Sequence, residues 1–233
     1  MKIIKTGSYE EMSRVTADII LAQVKQKPAS VLGLATGSTP LGTYKAIIAA
    51  KADFSGITTV NLDEYYGLKP DDPQSYRYFM DENFFRHINI DKAKTHVPDG
   101  TAADPAAECA RYEALIQALG GTDLQLLGMG HNGHIAFNEP ADSFPAKTHH
   151  IYLDEQTIKA NARFFANPND MPKSALSMGI KTIMGARKIL LAVSGADKAE
   201  ILKTALYGAI TPKVPASVLQ LHHDCTVVTD CLD

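Results

Sequence analysis

The 233-residue chain predicts a single α/β domain over residues 1–233, an open, mostly parallel twisted sheet with helices on both faces. Three observations support this. Short apolar runs alternate with longer segments of helical period, the pattern of repeated βαβ units. Four of the apolar runs end in polar, glycine-bearing turns, where the ligand-binding loops of a parallel sheet fall. The length suits one core, and neither an internal repeat nor a linker-like tract divides it.

Taken in order, Ser8 and Glu11 make a capping box, and Met12, Val15 and Ile19 follow at helical spacing, so an amphipathic helix opens the chain and ends by Pro28. Val31 to Ala35 (VLGLA) predicts a strand, with a helix from about Pro40. Thr58 to Leu62 (TTVNL) predicts the next strand, before an aromatic-rich helix through Phe79 and Phe84. Asp104 and Pro105 start another helix as cap and first-turn proline. Leu124 to Gly128 (LQLLG) predicts a strand, and the alternation continues with a strand near Ile151 and a helix from about Asp154. Lys188 to Gly195 (KILLAVSG) closes the series as a strand, with a helix through Leu202 and Leu206.

Composition narrows the class. Apolar residues are 45% and charged residues 21%, the balance of an ordinary globule. A net charge of -3 with scattered Lys and Arg lacks the basic footprint of a nucleic-acid partner. No apolar run suits a signal peptide or a membrane span, so a cytoplasmic protein is expected. Cys109, Cys225 and Cys231 form no C-x-x-C pair, which argues against a disulfide framework or a thiolate zinc site.

The turns carry the chemistry. In LATGSTP (Leu34 to Pro40), Gly37 permits a tight turn, Thr36, Ser38 and Thr39 offer hydroxyls, and Pro40 suits a helical first turn. Free amides at a positive helix end cradle an anion such as phosphate, although a plain strand-to-helix turn has the same look. No Gly-Lys-Ser/Thr follows, so this is not a nucleotide P-loop. Asp63 and Glu64 directly follow a strand, a rigid place from which either carboxylate could act as a general base or merely cap a neighbour. Gly128, Gly130 and Gly133 have dinucleotide-motif spacing with Asp154 beyond them, but Pro140 and Pro145 interrupt the helix such a motif must open. The sheet is therefore expected to be Rossmann-like without a dinucleotide site. His131 and His134 stand three apart where Asn132 and Gly133 oppose a helix, so no metal is expected. His134 beside Glu139 better suits a proton shuttle, because imidazole titrates near neutral pH and a carboxylate fixes its tautomer.

In chain order, LATGSTP, NLDEYYGL (Asn61 to Leu68), GHNGHIAFNEP (Gly130 to Pro140), ANARFF (Ala160 to Phe165) and SGADK (Ser194 to Lys198) closely resemble the glucosamine-6-phosphate deaminases. The resemblance spans nearly the whole chain. It implies a cofactor-free enzyme of amino sugar catabolism, a hydrolase of a C–N bond, that converts a phosphosugar, glucosamine 6-phosphate, to fructose 6-phosphate and ammonia. It further implies that Thr36, Gly37, Ser38, Thr39, Arg163 and Lys198 hold the phosphate. Asp63 would move a proton from C2 to C1, and His134 would open the sugar ring with support from Glu139 and Asn132. No metal or redox cofactor is required, since the C1 carbonyl itself acidifies the C2 proton.

Some members of that family carry Asp where this chain has Asn132. An amide oxygen can accept from an imidazole N–H, but it adds no negative charge. The chain is also shorter than the hexameric, allosteric members, so a monomer is expected. The 6-phosphogluconolactonases resemble the same fold and share the Gly-His turn, but Tyr65 and Phe137-Asn138-Glu139-Pro140 favour the deaminases. A non-catalytic sugar-phosphate sensing module would need a DNA-binding segment, for which the chain has neither the length nor a basic helix.

Overall fold

The computed structural model describes residues 1–153 and 171–232. The first strand, β1 (Lys2–Lys5), leads through Ser8 into α1 (Tyr9–Gln26). Ser8 accepts the Glu11 amide at 3.2 Å and the Glu11 carboxylate accepts the Gly7 amide at 2.7 Å, a capping box shifted by one residue on its return bond. Next come β2 (Val31–Leu34), α2 (Leu41–Ala50), β3 (Thr58–Asn61), β4 (Asp63–Tyr65), α3 (Tyr76–Asn83), β5 (Thr95–His96) and α4 (Pro105–Ala118). The remaining elements are β6 (Leu124–Leu127), β7 (His149–Tyr152), β8 (Ser174–Ser177), α5 (Ile180–Met184), β9 (Lys188–Val193), α6 (Ala199–Tyr207) and β10 (Cys225–Thr229). The helix expected from Asp154 lies outside the described residues.

Seven strands make an open sheet in the order β1-β10-β9-β6-β2-β3-β5, and every pairing in it is parallel. Its middle strands are buried on both pleat faces: all of β2 and β6, and β9 from Ile189 onward. Strands covered on both sides read as continuous apolar runs, which is why VLGL, LQLL and KILLAV are visible in the sequence. Leu126, Leu190 and Leu191 are at most 1% exposed, and each such side chain contributes about 1.5–3 kcal/mol of burial.

The order of strands locates the crevice. From β2 the chain steps outward to β3 and β5, then returns to lay β6 on the other side of β2 and steps away through β9 and β10. Between β2 and β6 the direction of winding reverses, and in open α/β sheets a ligand sits beyond the carboxyl ends of the strands at such a point. The segments that leave these ends are 35–40 and 128–139.

One expected strand belongs elsewhere. The strand near Ile151, β7, does not join the parallel series but pairs antiparallel with β8, which pairs antiparallel with β4 in a separate three-stranded sheet. Its own residues show the reason: β7 is only half-buried, and Tyr152 is 77% exposed, so it makes an edge rather than a core strand. The small sheet matters for the site because β4 starts just after β3. Leu62 spans the gap, donating its amide to the Leu34 carbonyl at 3.2 Å and accepting the Met178 amide at 2.8 Å. Asp63 is thus held at the carboxyl end of the large sheet by the hydrogen bonds that its preceding residue makes on both sides.

Candidate active site

The cleft between segments 35–40 and 128–139 has a volume of about 310 Å³. On one wall, Thr36 to Thr39 run from β2 to α2, with Gly37 at a φ of 98° that side-chain-bearing residues resist. Pro40 is the residue just before α2 rather than inside its first turn, and no side chain caps that end. The turn is held from behind by Tyr9, whose hydroxyl donates to the Ser38 carbonyl at 3.0 Å and accepts the Gly42 amide at 2.8 Å. A helix start without a side-chain cap, facing the cleft, suits an anion.

Across from it, Asp63 is 7% exposed, faces the cleft, and accepts no hydrogen bond from any described residue. Burial, and then the neighbouring Glu64 charge, push its carboxyl up to about 8. Glu64 points the opposite way, as strand alternation requires. Its Oε1 accepts the amides of Tyr65 and Tyr76, both at 2.8 Å, and its Oε2 accepts that of Arg77 at 2.9 Å. Burial pushes the Glu64 carboxyl up to about 7 against these three amides. Of the two carboxylates the sequence leaves open, Glu64 is committed to seating α3 on β4, and Asp63 is the one free to accept a proton.

The third wall holds His134. Its Nδ1 lies 2.7 Å from the Asn132 Oδ1, which also accepts the His134 amide at 3.1 Å. Asn132 Nδ2 in turn donates to Glu139 at 2.6 Å, and Glu139 Oε2 stands 3.3 Å from His134 Nδ1. This chain of bonds places the imidazole proton on Nδ1 and leaves Nε2 with a lone pair toward the cleft. The imidazole lies flat against Gly130, where any β-carbon would overlap the ring. The loop is pinned to β8 through Phe137, whose amide donates to Ser177 Oγ at 3.0 Å, and through Asn138, which donates to the Ile135 and Met178 carbonyls at 2.9 Å. Just before them Ala136 adopts a φ of 51°, a left-handed conformation that costs a non-glycine residue about 1 kcal/mol and marks a backbone bent for its site.

At the mouth, Lys198 donates its Nζ to the Met129 carbonyl at 2.8 Å; burial lowers its pKa while Asp197 pulls it back. His131 Nε2 lies 2.6 Å from Asp197 Oδ2.

Comparison with known proteins gives the chain's family. Residues 6–228 match the family described as glucosamine-6-phosphate isomerases/6-phosphogluconolactonase. The chain belongs to this family. It is 60% identical to a glucosamine-6-phosphate deaminase of Lachnoclostridium phytofermentans over 98% of each chain. It is 50% identical to glucosamine-6-phosphate deaminase 1 of Bacillus subtilis, covering 99% of this chain and 97% of that one. A solved monomeric glucosamine-6-phosphate deaminase superposes with a TM-score of 0.95 at 50% identity, over 98% of this chain and 97% of its own. The 6-phosphogluconolactonase of Thermotoga maritima, with a TM-score of 0.76 at 19% identity over 97% and 96%, shares the fold.

Of the residues the family motifs single out, Thr36, Gly37, Ser38, Thr39, Asp63, His134 and Lys198 line this one cleft, with Asn132 and Glu139 behind His134. Arg163 lies outside the described residues. Asn132 bridges His134 to Glu139, so the negative charge sits one bond further from the imidazole than an Asp at this position would place it, and still within 3.3 Å of Nδ1. His131 and His134 do not converge, since one pairs with Asp197 and the other with Asn132. Among the described residues, no group of three His, Cys, Asp or Glu could hold a metal ion. The glycines of 128–133 open no helix; they shape the loop that carries His134. Sequence reasoning did not place Tyr76 and Phe137 in the cleft, which they line with rings stacked 6.1 Å apart. The Glu64 bonds bring α3 to β4 and Tyr76 packs its ring on Tyr65 at 4.8 Å, contacts that no local motif reports.

Proposed function

We propose that this chain is a glucosamine-6-phosphate deaminase, an enzyme of amino sugar catabolism that isomerises its substrate and releases fructose 6-phosphate and ammonia. The observation that carries this reading is Asp63: a buried carboxylate with no donor among the described residues, facing the same cleft as an imidazole of fixed tautomer and an anion-suited helix start.

The steps follow from these groups. The phosphate rests on Thr36, Gly37, Ser38 and Thr39 and on Lys198, with Arg163 as a further cation drawn from the sequence motif. His134 Nε2 takes the proton of the C1 hydroxyl and returns it to the ring oxygen as the C1–O bond of the ring breaks, giving the C1 aldehyde. Asn132 and Glu139 steady the transient imidazolium. Asp63 then removes the C2 proton, the electron pair moving onto the C1 carbonyl oxygen. A proton passes from the C2 ammonium to that oxygen, giving an enolamine, and the proton held by Asp63, returned to C1 as the nitrogen lone pair moves in, leaves a hydroxymethyl group at C1 and an iminium at C2. Water adds there, the C–N bond breaks and ammonia departs, which makes the net reaction an isomerisation coupled to hydrolysis. A C2 ammonium beside Asp63 favours the ionised carboxylate and so readies the base that burial holds protonated.

The chemistry asks for no metal or redox cofactor. In this reading the protein acts as a single-domain cytoplasmic monomer on a small phosphosugar, without nucleic acid or membrane; no described helix is long and apolar enough to cross a membrane. The test is to supply glucosamine 6-phosphate and 6-phosphogluconolactone separately. Ammonia and fructose 6-phosphate in equal amounts from the first support the reading, and lactone hydrolysis without ammonia overturns it.

A further inference from the structure

Beside the cleft lies a more open recess of about 430 Å³ that shares Ser38, Thr39, His131 and Lys198 with it and adds Tyr9, Ser194 and Asp197. The phosphate end of the cleft therefore has a carboxylate in its surroundings. Alone, that carboxylate would act against the site twice, by repelling a bound phosphate and by competing for the charge of Lys198, its neighbour in sequence. It is not alone. The bond of 2.6 Å from His131 Nε2 to Asp197 Oδ2 crosses from the loop after β6 to the turn before α6. Lys198 is tied to that same loop through Met129, so the ion pair and the phosphate-binding ammonium ride on one joint.

We propose that His131 is a positioning residue for phosphate recognition: as an imidazolium it holds Asp197 in an ion pair and cancels the repulsion this carboxylate would exert on the anion in the cradle. The inference rests on the reading of Thr36 to Thr39 and Lys198 as that cradle. It differs from direct contact, in which His131 would donate to the phosphate itself. A histidine is charged only when protonated, so the device requires the imidazolium form of His131. Among the described residues, the other titratable groups around the pair are Tyr9 from α1, Lys198 in the same turn, and Asp230 with Cys231 after β10. Asp230 is engaged by Ser194 at 2.6 Å and the Gly195 amide at 3.0 Å.

The test uses the full chain as wild type, His131→Asn, Asp197→Asn and the double variant, reading the inhibition constant of inorganic phosphate and the KM for glucosamine 6-phosphate at low ionic strength and about pH 6.5. Both side chains are well exposed, at 71% and 64%, so thermal melts should confirm that all four fold. Counting charge beside the cradle, His131→Asn leaves a bare carboxylate and weakens phosphate binding about two- to fivefold, an effect on KM rather than kcat. Asp197→Asn leaves an uncompensated imidazolium and tightens binding. The double variant has no net charge there and returns to the wild-type value. A double variant as weak as His131→Asn would overturn the proposal in favour of a direct contact. Four proteins of equal phosphate affinity would overturn it outright. If the wild type neither binds phosphate nor turns over the sugar phosphate, the cradle reading has failed and the inference falls with it.

Discussion

Replacing Asp63 with Asn should make the protein more stable while disabling it, and the gain should grow with pH. In the folded chain the Asp63 carboxyl sits near 8 against an ordinary 3.8, chiefly because burial disfavours its charge. A raised carboxyl stabilises the fold below pH 3.8, where both states hold the proton, and that contribution is lost as pH climbs through the folded value near 8. At about 1.36 kcal/mol for each pH unit between the two values, the loss has a ceiling of about 5–6 kcal/mol. The amide introduced by Asp63→Asn does not titrate, so the variant escapes this loss. The assay is urea unfolding of both proteins at about pH 4.5, 6 and 8, read as the difference between them at each pH, which cancels the titrating groups that do not interact with Asp63. The variant should gain at least about 2 kcal/mol on the wild type between the lowest and the highest pH. A constant difference would show that Asp63 is not held as an acid by burial, and with it would go the reason this carboxylate is reactive.

Further outcomes follow from the same geometry. His134→Gln should turn over closed-ring substrate poorly while exchanging the C2 proton of an open-chain analogue with less loss, since that step bypasses the imidazole; equal losses on both would remove ring opening from its role. Lys198→Ala should raise KM for glucosamine 6-phosphate roughly ten- to hundredfold, as expected for a charge-assisted contact of about 1.5–3 kcal/mol, and leave turnover of unphosphorylated glucosamine nearly untouched. Glu64→Gln replaces an acceptor of three amides with a group that has only one carbonyl oxygen, so denaturant unfolding should show a loss of about 1–3 kcal/mol; no loss would mean that α3 is seated by something else.

What the sequence displays depends on whether a feature is local. The buried parallel strands β2, β6 and β9 announce themselves because both of their faces are apolar, and α1 and α4 because Ser8 and Asp104 cap them. The short strands β4 and β8 have no such signal: DEY is a strand through its pairing with SALS, which also pairs with β7, and the small sheet the three form is set by contacts far apart in sequence. The same divide runs through the site. Thr36 to Thr39 and the Asn132-His134-Glu139 group lie within single turns and are legible as chemistry. The choice between Asp63 and Glu64 is not, because it depends on α3 returning to place the Tyr76 and Arg77 amides on Glu64. Nor is the partner of His131, which lies 66 residues away at Asp197.

Transfer of the C2 proton by Asp63 can be followed with glucosamine 6-phosphate deuterated at C2. Wild type, Asp63→Asn and His134→Gln would be followed for loss of that deuterium to solvent or its arrival at C1 of fructose 6-phosphate, with binding measured separately. This role requires that the wild type moves the label and that Asp63→Asn slows its release by roughly 10²- to 10⁴-fold, the contribution of a positioned general base, while still binding substrate. Release of the C2 deuterium by Asp63→Asn at the wild-type rate would contradict it.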